Sequence, residues 1–567
     1  FGLWQEDGVT LGHRRLAILD LSSAGSQPMS YANERYWMTF NGEIYNFIEI
    51  REELQHKGYT FRGNSDSEVI MAAYCEWKEK CVDRFNGMWT FAIWDRQEKS
   101  LFLSRDRFGV KPLYYTEFPD GGFAFASEMK ALLPLLEKVE PNKEMFDRYF
   151  ADNHYESQPE CLIKGIKRFP AGSYAWIRNG KTEITRFWNT LDHLIEVPDT
   201  YEEQVEQFRE LFLDACKIRM RSDVTLGTGL SGGLDSSATI CAMSYISRNC
   251  ADERANKDWQ HAYVACFPGT DLDETKYAKQ VTDYLGIRHT FLTIDDAVPE
   301  REFLRQLYCF EELWGNPQVP MMELYKKERE LGATVSLDGH AADELFAGYG
   351  FDVLKAYPDA KGKAEIDQIT MAYLNQRSEM GYDPSSAEFK RQRNKLYRDY
   401  MTKYYAKKLL GRADVSSAYA DHPNWKKLDN LNKVLFVSTH ETILPTLLRN
   451  YDRDSMASGV EIRMPFLDYR IVEFAFSIGW KSKLHGGFSK SIVRDACADF
   501  MPHDIAYRRT KLGFNAPILD WMRGPYRQFF EDTVADPAFA NCSLIDDATG
   551  VRADLAKFLN GENATFH

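Results

Sequence analysis

The sequence predicts two architectures in succession: an α+β unit of packed antiparallel sheets over residues 1–195, then an α/β unit with a doubly wound parallel sheet and helical insertions over 196–567. Three observations predict this. The first third is dense in β-type runs joined by short polar turns such as Asp95-Arg96-Gln97-Glu98-Lys99 and Pro119-Asp120-Gly121, which read as hairpins in antiparallel sheets. Past residue 200, strand-like and helical runs alternate: Val224 to Leu230, Ala238 to Ile246, His261 to Phe267, Glu274 to Leu285. That alternation predicts a parallel sheet with its ligand at the strand carboxyl ends. Between the two, Thr190 to Thr200 carries Asp, Glu and Pro without a period, a plausible boundary.

Length and composition bound the rest. At 567 residues the chain is too long for one core, and about 150 residues per domain suggests about three. Hydrophobic residues make up 44% and charged ones 27%, a globular balance. The net charge of −14 argues against a nucleic-acid partner. No apolar run approaches the roughly 20 residues of a membrane span, so no membrane partner is expected. The ten cysteines are scattered and form no C-x-x-C pair. They read as reduced thiols and predict a cytoplasmic protein.

In the first third, Tyr36 to Phe40 reads as a strand ending at Asn41-Gly42. Phe47 to Lys57 reads as a helix, and a second helix starts at about Asp66. Met88 to Trp94 with Leu101 to Ser104, and Leu113 to Thr116 with Gly122 to Ala126, form two hairpins. Asn41-Gly42-Glu43 sets an amide, a permissive glycine and a carboxylate side by side, which suits an amino-acid head group. Glu43 would hold an α-ammonium, and Asn41 could donate to an oxyanion. His13-Arg14-Arg15 supplies a guanidinium for a carboxylate, and Asp66 adds a second acid. Each cluster also has a structural reading: Asn41-Gly42-Glu43 as a hairpin turn, Asp66 as a helix N-cap.

In the second part, a helix is expected from Thr200 to Met220, with Val205, Phe208, Leu211, Phe212, Ala215 and Ile218 at helical spacing. Then comes Ser231-Gly232-Gly233-Leu234-Asp235-Ser236-Ser237 between a strand and a helix. A helix N-terminus presents unpaired N–H groups and suits an anion. Gly232 and Gly233 let the backbone approach it, and Ser231, Ser236 and Ser237 add donors. Asp235 can hold a magnesium ion that a phosphate also holds. No lysine follows the second glycine, so this is not the common P-loop.

A second strand–turn–helix stretch runs from Thr334 to Tyr349 and places Asp338, Gly339, His340, Asp343 and Glu344 at a turn. Asp343 could be a second magnesium carboxylate, or simply an acid at a helix start. Residues 350–435 read as a charged helical insertion on the surface. Arg449, Asp452, Arg453, Asp454, Glu461, Arg463 and Asp468 are too dense for a plain core and predict a buried ion network. Arg508-Arg509-Thr510-Lys511 places three cations before a glycine.

The series GHRRLAILDL, FNGEIYN, SDSEVI, FAIWD, RDRFGVKPLYY and FASEMKAL resembles the glutaminase domain of class II glutamine amidotransferases, of the N-terminal-nucleophile type. With SGGLDSS downstream, which looks like the pyrophosphate loop of ATP pyrophosphatases, the whole chain resembles the glutamine-hydrolysing asparagine synthetase family. The resemblance implies glutamine binding by Arg15, Ile18, Asn41, Gly42, Glu43 and Asp66, with Asn41 and Gly42 as the oxyanion hole. It implies ATP binding by Leu230, Ser231, Gly232, Gly233, Leu234, Asp235, Ser236, Ser237, Cys266, Asp338, Gly339 and Lys511. Magnesium would sit at Asp235 and Asp343, and Lys511 would stabilise charge at the α-phosphate.

The resemblance also implies glutamine and a carboxylate acceptor as substrates, an ammonia tunnel and a possible homodimer. The family's nucleophile is an N-terminal cysteine. Residue 1 here is Phe, and no cysteine precedes Cys75. The expectation is that about 60 residues of a complete domain lie outside this sequence. His340 stands where asparagine synthetases carry a glutamate, which opens the acceptor to a uronic acid, diaminopimelate or a natural-product carboxylate beside aspartate.

Overall fold

The structure is a computed structural model that describes all residues except 153–155, 250–253, 295–299, 314–318, 413, 511–512, 514–516 and 564–567. Its first half is built on a six-stranded sheet, in spatial order Lys181–Arg186, Ser173–Arg178, Ser100–Arg105, Gly87–Asp95, Tyr36–Ile44 and Met29–Tyr31. Every pairing in it is antiparallel. Side chains alternate across a strand, and here they divide between two cores. Phe91, Ile93 and Phe102 pack with Val69, Ile70 and Tyr74 of the Asp66–Trp77 helix. Ala92, Leu101 and Leu103 pack on the other face with Leu113, Tyr115 and Phe169. That second layer is a three-stranded sheet of Phe123–Ala126, Tyr114–Glu117 and Lys167–Arg168. The predicted antiparallel layers and both hairpins are therefore present.

Two local expectations are corrected. The strand does not end at Asn41-Gly42; it runs on to Ile44, with Asn41 opposite Thr90 and Glu43 opposite Met88. Gly42 has φ +149°, and a Cβ there would lie 2.1 Å from the Met88 carbonyl oxygen. The glycine marks a close strand approach rather than a turn. Nor does Asp66 cap its helix. Ser65 is the N-cap, its hydroxyl accepting from the Glu68 N–H, which leaves the Asp66 carboxylate to accept from the Ile44 N–H at 3.0 Å.

The second half holds a five-stranded sheet in the order Arg288–Thr293, His261–Cys266, Leu226–Gly229, Val335–Leu337, Glu461–Arg463. All its pairings are parallel. By sequence order this is 3-2-1-4-5, so the winding reverses between the Leu226 and Val335 strands. That reversal opens a crevice at their carboxyl ends, where open α/β sheets take ligands. The Tyr201–Arg219 helix buries Phe208, Phe212, Ala215 and Ile218, which follow its 3.6-residue period. Thr200 caps it, accepting from the Glu203 N–H. The segment after Gly350 is helical, as expected, and its longest helix, Ala387–Leu409, buries only Phe389 and Met401. Among the described residues no helix is long and apolar enough to cross a membrane.

The two halves share one core. Ile18, Tyr45, Met88 and Val110 from the first pack into the cluster that holds Leu226, Val335 and Phe466 of the second. The expected ion network lies at this junction. Arg463 is fully buried, and its Nη2 contacts Glu43 Oε2 at 3.0 Å. Its Nε contacts Glu461 Oε1 at 3.0 Å, and its Nη1 donates to the carbonyls of Arg219 and Arg221. Lys111 bridges to Asp452 at 3.2 Å and Glu461 at 3.9 Å. Asp468 accepts from Asn86 and Arg219, each at 2.8 Å.

Removing one partner of such a network leaves the others charged and unpaired, which costs about 3–5 kcal/mol. Arg463→Met should lower stability by that order in equilibrium urea unfolding. Adding Glu43→Gln and Glu461→Gln to it should return most of the loss. A single substitution that leaves the unfolding midpoint unchanged would show that the network is not a structural tie.

Candidate active site

The crevice at the sheet's reversal is a cavity of about 700 Å³. One wall is the Ser231 loop. Leu230 leaves the strand with its N–H on the Tyr263 carbonyl at 2.8 Å. Gly232 has φ +80°, and a Cβ there would lie 2.5 Å from the backbone nitrogen of Ala278. Only glycine lets the loop lie against the Thr275–Leu285 helix. The loop closes on itself, since the Gly233 N–H donates to the Ser231 hydroxyl and the Ser231 N–H to the Ser236 hydroxyl. The Leu234–Asn249 helix then begins, its first turn pointing at the cavity. Leu230, Ser231, Gly233, Leu234, Asp235 and Ser236 line the cavity. Gly232 and Ser237 do not: Gly232 is turned to the neighbouring helix, and Ser237 is fully buried. At the end of the next strand Ala265 lines the cavity and Cys266 does not, because adjacent strand residues face opposite sides. Burial pushes the Cys266 thiol up.

The facing wall is the turn after Leu337. A Cβ on Gly339 would lie 2.4 Å from the Asp235 carbonyl carbon and 2.5 Å from the Ser236 nitrogen. The two loops touch there because Gly339 has no side chain. Asp338 lines the cavity, but its carboxylate is already engaged. Oδ1 accepts from the Gly229 N–H and the Ser336 hydroxyl, at 3.0 and 2.8 Å, and Oδ2 accepts from the Tyr325 hydroxyl at 2.7 Å. Burial disfavours the ionised form of Asp338. The nearby His340 imidazole and hydrogen bonding from Tyr325 and Ser336 outweigh it and hold the carboxyl below the ordinary range. His340 Nε2 lies 3.6 Å from Asp338 Oδ2, and the imidazole stacks on Tyr451 with ring centroids 3.7 Å apart.

Asp235 and Asp343, from the two walls, converge on one cation that the sequence reading passed over. Lys490 Nζ lies 2.5 Å from Asp235 Oδ2 and 2.6 Å from Asp343 Oδ1. Lys490 is buried and left-handed at φ +54°, and it precedes the Ser491–Cys497 helix. Gly348 makes room for the clasp: a Cβ there would fall 1.7 Å from Asp343 Oδ1. The motif Gly486-Gly487-Phe488-Ser489-Lys490-Ser491 before a helix start was the available signal. Next to Asp343, burial and the Asp343 charge push Glu344 up to about 7, and Glu344 Oε1 accepts from the Tyr349 hydroxyl. Arg508 pairs with Glu274 at 2.6 Å and lines the cavity. Lys511 lies outside the described residues. Two carboxylates on different loops suit a hard divalent cation whose other ligands come from a phosphate. Among the described residues no group of three or more His, Cys, Asp and Glu could hold a metal by itself.

The first-half residues sit apart from this cavity. Glu43 meets Arg463 as described, and Asp66 is buried beside it. Burial pushes Asp66 up to about 6. Glu43 rises well above the carboxylate range through burial and the Asp66 charge, against the pull of Arg463. The Asn41 amide donates to the Ser127 hydroxyl at 3.4 Å. Arg15 donates to the carbonyls of Leu19, Asp20 and Ser22. Ile18 is buried, its carbonyl taking the Asp223 N–H.

Comparison with known proteins gives two family matches in succession. Residues 1–188 match the family described as "Glutamine amidotransferase domain", and residues 207–559 match "Asparagine synthase". Asparagine synthetase [glutamine-hydrolyzing] 1 of Bacillus subtilis (strain 168) is 29% identical over 550 residues, covering 94% of this chain and 84% of that protein. Asparagine synthetase [glutamine-hydrolyzing] 3 of the same organism is 31% identical over 532 residues, covering 89% and 80%. Asparagine synthetase B [glutamine-hydrolyzing] of Escherichia coli (strain K12) is 27% identical over 519 residues, covering 90% and 74%.

The Glu344 shift has a measurable sign. Its folded value, about 7, lies above the ordinary 4.5, so the folded chain binds the extra proton between those pH values. The stability this contributes is full below the lower value and is lost as pH rises through the upper one. Glu344→Gln should therefore gain stability relative to the parent from about pH 5 to about pH 8, with a slope approaching 1.4 kcal/mol per pH unit at most. A difference independent of pH would place Glu344 among ordinary carboxylates.

Proposed function

The chain belongs to the glutamine-hydrolysing asparagine synthetase family, and on that premise we propose that its second half activates a carboxylate by cutting ATP between the α- and β-phosphates. The acyl-adenylate then goes to ammonia released from glutamine in the first half, about residues 1–195. The products are an amide, AMP and pyrophosphate. The observation that carries this reading is the convergence of Asp235 and Asp343 on Lys490 beside the Ser231 loop.

Each residue has a role in it. The N–H groups at the start of the Leu234–Asn249 helix and the Ser231 and Ser236 hydroxyls receive the β- and γ-phosphates. Leu230 and Ala265 border the purine. Asp235 and Asp343 hold magnesium, which when bound neutralises the charge of the departing pyrophosphate. Lys490 and Arg508 supply fixed positive charge, and Lys511 adds to it at the α-phosphate. His340, oriented by Asp338 and stacked on Tyr451, faces the attacking nitrogen and accepts its proton. In the first half Glu43 and Asp66 take the α-ammonium of glutamine, Arg15 its carboxylate, and Asn41 with Gly42 the oxyanion. Aspartate is the default acceptor, with a uronic acid, diaminopimelate or a natural-product carboxylate as alternatives. A cytoplasmic homodimer belongs to the same reading.

The test is pyrophosphate and AMP release from the full chain supplied with ATP, magnesium, an ammonium salt and L-aspartate. The parent should release both, and Lys490→Met should lower the rate by about 10²–10³-fold, the usual cost of one preorganised charge donor. Release of ADP and phosphate instead would rule out α–β cleavage. No release with any carboxylate would favour a nucleotide-binding protein without ligase activity.

A further inference from the structure

The strip Gly348-Tyr349-Gly350-Phe351 leads from the Lys490 clasp to the cavity's outer rim. Gly348 abuts Asp343 and Lys490, and Gly350 abuts the end of the Lys363–Asn375 helix. A Cβ on Gly350 would lie 2.7 Å from Gln376 Oε1 and 3.0 Å from Arg377 Nη1. Two residues span at most about 7 Å, so Arg377, an exposed residue, stands at the cavity mouth one short step beyond the clasp. Both Gln376 and Arg377 line it.

Arg377 differs from the other arginines of the cavity. Arg508 is paired with Glu274. Arg494 spends its donors on the carbonyls of Ser489, Ala506 and Arg508. Arg377 lies over the Tyr373 ring at 3.9 Å, and its Nη1 donates to the Tyr373 carbonyl at 3.1 Å. Among the described residues it has no carboxylate partner. Stacking on an aromatic face fixes the guanidinium plane and leaves its remaining N–H groups for a planar anion. Gln376 is buried behind it, its amide turned to the Gly348 carbonyl at 3.4 Å.

The surroundings indicate which ligand meets this charge. ATP phosphates already have the Ser231 loop, Lys490 and Arg508. Tyr349, Phe351, Ile443, Leu447 and Tyr451 also line the cavity and offer an acceptor's body contact.

We propose that Arg377, held flat by Tyr373 and backed by Gln376, is a specificity-determining residue that reads a second anionic group on the carboxylate acceptor. The acceptor class is then a diacid or amino diacid, such as aspartate or diaminopimelate, and a monoacid such as a uronic acid is excluded. This rests on the ligase reading above.

The experiment measures pyrophosphate release from the full chain with ATP, magnesium and ammonium chloride. The acids compared are L-aspartate, diaminopimelate, glucuronate and β-alanine, which is aspartate without its α-carboxylate. The parent should turn over at least one diacid well and both monoacids poorly. Arg377→Ala should raise the KM of that diacid by about 3- to 5-fold, the upper range for losing one member of a solvent-exposed charge pair. It should leave the KM of ATP within about 2-fold and β-alanine turnover unchanged, and Arg377→Lys should restore part of the diacid effect. An ATP KM that rises while the diacid KM stays fixed would overturn the proposal and make Arg377 a phosphate ligand. Glucuronate as the best substrate would overturn it as well. No release by the parent with any acid overturns the ligase reading and this proposal together, whereas release indifferent to Arg377→Ala overturns this proposal alone.

Discussion

The buried guanidinium of Arg463 is the tie on which both halves depend. It takes Glu43 from the antiparallel sheet and Glu461 from its own strand, and it donates to two carbonyls that follow the Tyr201–Arg219 helix. Its backbone carbonyl in turn accepts the Asp338 N–H at 3.0 Å. One residue thus contacts a carboxylate of the antiparallel-sheet half through its side chain and the Asp338 N–H of the parallel-sheet half through its main chain. A planar group with five donors can make such a junction where an ammonium could not. The halves are therefore held in register by directional bonds as well as by the apolar core they share, and directional bonds fix the relative position of two sites more sharply than packing alone.

The cavity follows from close approaches that only glycine permits. Gly339 lets the turn after Leu337 rest on the start of the Leu234–Asn249 helix. Gly232 lets the Ser231 loop rest on the Thr275–Leu285 helix, and Gly348 lets Asp343 reach Lys490. Each contact would be closed by one methyl group. The Asp338 carboxylate, bonded to Gly229, Ser336 and Tyr325, locks the carboxyl ends of the two strands that flank the crevice. Asp338 spends its carboxylate on these structural bonds, while Asp235, Asp343 and Lys490 meet one another at the cavity wall.

The sequence made much of this legible, because its signals were local. Strand–turn–helix order located both walls, and alternation located the sheets. Where reading failed, the deciding fact was a distance. Asn41-Gly42 reads as a turn from the residue types, yet the glycine is there because Met88 comes so close. Asp66 reads as a cap until the Ile44 N–H is found to occupy it and Ser65 to cap the helix instead. Lys490 comes nearly 150 residues after Asp343, and nothing in its neighbourhood distinguishes it from other lysines of a charged stretch except a glycine pair. Ala265 and Cys266 differ only in which side of a strand they face. Arg463 was expected in an ion network, but that its partner is Glu43, 420 residues away, is not written in either stretch.

Burial sets the protonation of the acids at the junction. Around Arg463 the buried acids Glu43, Asp66, Glu461 and Asp452 share Arg463 and Lys111, and Arg51, Arg105 and Arg453 also act on Asp66 or Asp452. Burial, with the charges of neighbouring acids added to it, pushes Glu43 and Asp66 both up. A carboxyl pushed up by burial ionises more readily beside a further positive charge, and the ammonium head group of the proposed glutamine would be one. At the outer rim of the nucleotide cavity the sign is reversed. There Arg377 presents a guanidinium held by a ring and one carbonyl, and the nearest walls are aromatic and aliphatic. Arg377 is exposed at the cavity mouth, so it is the stacking on Tyr373 rather than burial that fixes its guanidinium plane and sets the direction of its remaining donors.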